Sequence, residues 1–267
     1  MEEAQGKAAD RFTLLTRYLS PFLLSGVQMD AGYFRRCLAE HPRLIIVLAH
    51  GGPISFLPPA VALLRATAEY DPGRRSLITL HPWWWKAPGI RLVPRYFSGG
   101  QQHLTMPELR RALAGQSSVD YYALPESENC FYGNPDEVKP FLVHGFIELS
   151  IVTRTPMLLV VHKGTERWNR QIGPSGRLLP LFKKMPDRMF HAVELNKDRV
   201  LSAIERYQSV NVPLPLARAQ LRLAFELHYP ELYDSEPSSD FRTRRRQYVE
   251  EGERIRARMQ WAYDALR

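Results

Sequence analysis

RLIIVLAHGGPIS, residues Arg43–Ser55, decides how the rest of the chain is read. After Arg43 come six apolar residues, Leu44 to Ala49, of strand length and rich in β-branched side chains. A run without polar alternation suits a strand covered on both faces, as in a parallel or mixed sheet flanked by helices. His50 follows directly, and Gly51 and Gly52 let the backbone turn tightly and leave the imidazole uncovered. Reactive groups in open α/β sheets gather at the carboxyl ends of strands, which makes His50 the first candidate for chemistry.

Outward from this stretch, Tyr33–Glu40 predicts a helix. The apolar segment Phe12–Val27, broken by Arg17, Pro21 and Gly26, predicts one or two short helices. These either pack on the core or rest shallowly on a membrane surface. Downstream, Leu57–Tyr70 predicts a helix, Ser76–Leu80 a strand, and Met106–Ala114 a helix opened by Thr105 and Glu108 at capping-box spacing. Val119–Leu124 predicts a strand, Gly145–Arg154 a helix, Met157–His162 a buried strand and Met189–Leu195 a further strand. Beyond Asn196 the chain is expected to be helical, interrupted by Pro213, Pro215, Pro230 and the polar stretch Asp234–Ser239. The expected fold is α/β, with a central mostly parallel or mixed sheet flanked by helices in a single domain over 1–267. It divides into N-terminal helices (1–42), an α/β core (43–195) and a helical C-terminal extension (196–267).

With 267 residues, 45% hydrophobic and 24% charged, the chain can bury a sizeable core. The formal net charge of +8 suits contact with anionic headgroups, an acidic carrier protein or a coenzyme phosphate. Nucleic acid is not expected as a partner, because no binding motif or interleaving of basic and aromatic residues occurs. The charged stretch from Arg242 to Arg258 reads as a solvated helix face. Cys37 and Cys130 have no spacing suited to a disulfide framework or a metal site, so no metal is expected. The first residues are acidic and polar, and no window of about 18 apolar residues occurs. The expected location is cytoplasmic, free or peripheral on the inner membrane face.

Four blocks in order carry a resemblance: RLIIVLAHGGPIS at 43–55, RYFSGGQQ at 95–102, LPES at Leu124–Ser127, and HGFIELSIVTRTPMLLVVHKGTE at His144–Glu166. Their order and separations resemble the phospholipid/glycerol acyltransferases, the PlsC-like family, with features towards its diacylglycerol acyltransferase branch. There a strand ends in a histidine with an aspartate five residues on, a second block follows, a third reads FPEG, and the fourth is an apolar strand led by proline. The last block, with a GF-led helix and then TPMLLVV, is the most telling. The resemblance implies a glycerol-phosphate-acyltransferase-like fold and transfer of a fatty acyl group from acyl-CoA or acyl carrier protein to a hydroxyl or amine of a lipid or small-molecule acceptor. It implies no cofactor and makes His50 the general base, with donors nearby to stabilise the oxyanion.

The chain departs from the family where the aspartate would stand, which is Ser55. A serine hydroxyl there, or Glu126 after the VDYYALP strand, is expected to orient the imidazole. The diacylglycerol acyltransferase branch lacks that aspartate too, and HGGPISF is intermediate between the two patterns. FSGGQQ in the second block and LPESENC in the third carry no arginine of the kind that would hold a phosphate there, so a phosphate-bearing glycerol is a less suitable acceptor, although Arg91, Arg95 or Lys163 could supply charge. Gly51, Gly52, Trp84, Trp85, Pro125 and Ser127 are the expected substrate-binding residues. The tryptophans belong to HPWWWKAPG, suited to an acyl tunnel, a bilayer interface or plain packing. The alternative is a catalytically silent relative that binds acyl chains or a carrier protein. A hydrolase would need a GxSxG elbow, which is missing.

Overall fold

The computed structural model describes residues 17–79, 104–115, 118–173, 179–192, 196–207, 209–214, 217–233 and 238–266. In chain order these form β1 (Leu24–Gln28), α1 (Ala31–Glu40), β2 (Arg43–Leu48), α2 (Leu57–Tyr70), β3 (Arg75–Ile78), α3 (Met106–Ala114), β4 (Val119–Ala123), α4 (Gly145–Thr153) and β5 (Met157–Lys163). There follow β6 (Asn169–Ile172), α5 (Leu179–Lys184), α6 (Asp187–Ala192), α7 (Lys197–Tyr207), β7 (Val210–Pro213), β8 (Ala219–His228) and α8 (Phe241–Ala265). The fold is α/β, built on a mixed six-stranded sheet of order β1-β8-β5-β2-β4-β3. Strands β5, β2, β4 and β3 are mutually parallel, while β8 runs antiparallel to β5 and pairs in parallel with β1.

The apolar run of β2 is buried because the strand lies inside the sheet and is covered on both sides. Leu44, Ile46 and Leu48 pack with Phe34 and Leu38 of α1 and Val61, Leu63 and Leu64 of α2. Ile45, Val47 and Ala49 pack with Leu109 of α3, Phe146 and Ile147 of α4, and Ile255 and Met259 of α8. Each buried aliphatic side chain contributes roughly 1.5–3 kcal/mol relative to leaving it in water. Local signals reinforce the elements: Asp30 caps α1 by accepting from the Tyr33 N–H at 2.8 Å, and Glu108 accepts from the Thr105 N–H at 2.7 Å, the return half of a capping box. At the far end of the sheet from His50, Arg74 grips Asp120 through two hydrogen bonds of 2.8 and 2.7 Å. It gives two further donors to the carbonyls of Leu38 and His41.

Three expectations are corrected. The stretch Met189–Leu195 does not supply a strand: its described residues belong to helix α6, whose Phe190 packs with Val200 and Ile204 of α7 in a small separate cluster. The region beyond Asn196 is not helical throughout. It holds β7 and the ten-residue β8, whose Ala219, Leu221 and Leu223 point into the core while Gln220 between them is exposed. The segment Phe12–Val27 is helical only over 17–23 in its described part, and Leu24–Gln28 is an edge strand of the sheet. In the last two cases strand pairing overrides local propensity, β1 and β8 being partners from distant parts of the chain. Among the described residues no helix is long and apolar enough to cross a membrane.

Candidate functional site

The parallel strands β2, β4 and β5 end on one rim, and their exits meet there. Past the end of β2 the backbone N–H of His50 donates to Oε1 of Glu126, 3.1 Å away beyond β4. Gly51 then adopts φ +69°, the left-handed region open to glycine at little cost, with His162 and Ser55 against the place a side chain would occupy. This turn swings the carbonyl of Gly52 back to Nδ1 of His50, at 2.9 Å. A carbonyl only accepts, so Nδ1 carries the proton and Nε2 keeps its lone pair. Nε2 makes no hydrogen bond among the described residues, and the ring stands edge-on to Phe56 with centroids 4.8 Å apart.

His50 is only 7% exposed, which corrects the expectation that the two glycines leave its imidazole uncovered: the tight turn folds back over the ring and Phe56 packs against it. Burial pulls its pKa down to about 4; the nearby His162 acts in the same direction, and the Gly52 carbonyl opposes them. His50 is therefore neutral at physiological pH. Glu126 is fully buried, and loss of hydration pushes its pKa up to about 8 against the pull of the His50 amide and of Lys139. It stays protonated at neutral pH, and its Oε2 has no hydrogen-bond partner among the described residues.

His162 was absent from the residues expected at the site. It is the penultimate residue of β5 and lies beside His50, since Val47 and Leu48 of β2 pair with Leu159 and Val160 of β5. Its Nε2–H donates to the carbonyl of Ala49 at 3.0 Å and Nδ1 accepts from the Thr165 hydroxyl at 3.3 Å. Burial holds its pKa at about 4 despite the opposing influences of that carbonyl and of Glu166. The two histidines are thus neutral in opposite tautomers. A signal existed in the sequence: LLVVHKG at 158–164 repeats the pattern of IIVLAHG at 45–51, an apolar strand, a histidine and a nearby glycine.

The expected orienting groups play other parts. Ser55 is fully buried, and its hydroxyl is held by the side-chain amide of Asn169, not by the imidazole. Glu126 meets the backbone of His50 and not its ring. The Gly52 carbonyl orients the ring instead, because the turn through Gly51 points a backbone acceptor back at Nδ1. Pro125 lies in the turn after β4, where its carbonyl accepts from the amides of Leu142 and Val143, and half-buried Ser127 takes a left-handed φ of +49°. Trp84, Trp85 and the RYFSGGQQ block with Arg91 and Arg95 lie outside the described residues. Lys163 is engaged elsewhere, its ammonium donating to the Leu266 carbonyl at 2.5 Å and lying over the Tyr263 ring.

Behind the glycine turn, Gly52, Ser55, His162, Thr165 and Asn169 border a cavity of ≈ 20 Å³. That is room for about one water molecule. Among the described residues no cluster of three or more histidine, cysteine, aspartate or glutamate side chains is arranged to hold a metal ion. What the rim offers is a neutral imidazole with a fixed tautomer, able to take a proton at Nε2. Compared with known proteins, the chain matches no family model and no curated protein sequence.

Proposed function

We propose that the protein transfers an acyl group from a thioester, acyl-CoA or acyl carrier protein, to a hydroxyl or amine acceptor, with His50 as general base. The observation that carries this reading is the Nδ1–H bond to Gly52, which leaves Nε2 unprotonated at the end of β2. The four blocks of sequence resemblance support it independently. In the reaction Nε2 takes the acceptor proton as the acceptor oxygen or nitrogen attacks the thioester carbonyl. The tetrahedral intermediate then collapses with loss of the thiolate, which receives that proton, leaving an ester or amide and a free thiol. An imidazole with so low a pKa holds a proton only briefly, which suits a step whose leaving group is itself the final base. The acceptor is a neutral lipid or another small hydroxylated or amino compound, in keeping with the engagement of Lys163 by the C-terminal helix.

A second reading, a silent relative that binds acyl chains or a carrier protein, is favoured by one observation. Among the described residues no carboxylate touches the His50 ring, and Ser55 is tied to Asn169. Purified protein incubated with a panel of acyl thioesters and acceptors, scored for free thiol and acylated product, separates the two. Turnover in the wild type and its loss in His50→Ala is the expected result. Equal turnover in both overturns the role of His50, and thioester binding with no turnover in either favours the binding module.

A further inference from the structure

Asn169, at the start of β6, reaches the turn after β2 from a distant part of the chain. Its amide nitrogen donates to the Ser55 hydroxyl, and its side chain lies so close over Gly52 that a β-carbon there would overlap it. Asn169 is itself well anchored. The preceding Trp168 is buried, donates its indole N–H to the Ala217 carbonyl at 2.7 Å, and accepts from the Leu214 amide at 2.7 Å. The strand that follows pairs with β7 in the register Asn169↔Pro213.

Ser55 is in turn connected to the imidazole through one atom. The Gly52 carbonyl accepts the Ser55 backbone N–H at 3.2 Å and the Nδ1–H of His50 at 2.9 Å, one for each lone pair. Fixing the Ser55 side chain therefore fixes the residue that aims this carbonyl, and contact with Gly52 blocks the peptide from rotating away. If the carbonyl turned, Nδ1 would lose its acceptor and the imidazole would be free to carry its proton on Nε2, the wrong atom for a base.

We propose that Asn169 is a positioning residue for His50: by clamping Ser55 and covering Gly52 it keeps the Gly52 carbonyl on Nδ1 and so keeps Nε2 unprotonated. The inference rests on the reading of His50 as the base, but it predicts a state of the imidazole that is observable without turnover. The clamp also accounts for the small space behind the turn, since the Asn169 side chain occupies the room a larger residue at 52 would need.

The test reads the tautomer of His50 by NMR on protein labelled with ¹⁵N-histidine, its signals assigned by their loss in His50→Gln, alongside thioester turnover. In the wild type His50 is expected as the Nδ1–H form. In Asn169→Ala the signals move to a mixture of tautomers, and kcat falls about 10–100-fold, the range typical of lost orienting partners, with KM unchanged. Ser55→Ala does the same. The double variant is no worse than the more damaged single, because both remove one device. Asn169→Asp, whose carboxylate accepts from the Ser55 hydroxyl in nearly the same shape, restores the tautomer. A folded Asn169→Ala with the wild-type tautomer and kcat overturns the proposal, as does an Asn169→Asp as damaged as the alanine variant. Should Asn169→Ala not fold, Ser55→Ala carries the same two readouts with a smaller change of volume. A wild type inert towards every thioester overturns the catalytic reading alone, and a tautomer that still depends on Asn169 then supports the clamp.

Discussion

His50 and His162 lie at the carboxyl ends of neighbouring parallel strands and hold their protons on opposite ring nitrogens, His50 giving Nδ1–H to the Gly52 carbonyl and His162 giving Nε2–H to that of Ala49. Each is thus bound to backbone of the β2 exit, and burial keeps both uncharged. Two neutral rings can sit side by side here where two imidazolium ions could not.

Activity should therefore keep its acid limb far below that of an ordinary histidine. With His50 titrating at about 4 in place of 6.5, kcat/KM for acyl transfer is expected to stay level from pH 7 to pH 5 and to fall only below that. A pH profile with a half-point near 6.5 would contradict the buried, neutral base.

Stability should respond to the same groups. A histidine whose folded pKa is depressed contributes stability that is fully present above its unfolded pKa of 6.5 and is lost as the pH falls towards 4. His162→Gln removes one such group, so its urea-unfolding free energy should decline less between pH 6.5 and 4 than that of the wild type, by roughly 2–3 kcal/mol. An unchanged slope would show that His162 is charged in the folded chain.

Glu126 should show the opposite sign. Its folded pKa is raised from 4.5 to about 8, so its contribution is fully present below 4.5 and is lost as the pH rises towards 8. Glu126→Gln keeps an acceptor for the His50 amide without an ionisable group. Relative to the wild type it should gain on the order of 3 kcal/mol on going from pH 4.5 to pH 8, read from denaturation midpoints. A constant difference across that window would refute a protonated Glu126.

At the opposite rim, Arg74 and Asp120 form a fully buried pair with side chains 1% and 0% exposed. Arg74→Ala should cost about 3–5 kcal/mol by leaving an uncompensated buried carboxylate. The double replacement Arg74→Met with Asp120→Leu should be much milder, since it removes both charges. Equal damage in the two would mean that the hydrogen bonds to Leu38 and His41, and not the charge pairing, are what matters.

The sequence made the parallel half of the sheet legible and left the antiparallel half hidden. The unbroken apolar runs of β2 and β5 declare strands buried on two faces, and Thr105 and Glu108 mark the start of α3. β8 carries period-two burial over Ala219, Leu221 and Leu223, but Arg222 and Glu226 within it mask the alternation. At the site, His50 and Glu126 were readable because each stands just past a strand end. Asn169 was not, because a polar residue gains its meaning only from contact with Ser55 more than a hundred positions earlier. The role assigned to Ser55 failed for a related reason: spacing from His50 indicates that the two are neighbours but not which way the hydroxyl faces.

The pairing of β1 with β8 sets an order on biogenesis. Leu24 leaves the ribosome long before Ala219, its partner, so β1 waits while β2 to β5 can already associate, and one margin of the sheet stays open until β8 arrives between β5 and β1. In that interval the hydrogen-bonding edge of β5 is bare, a template for wrong strands until β8 covers it.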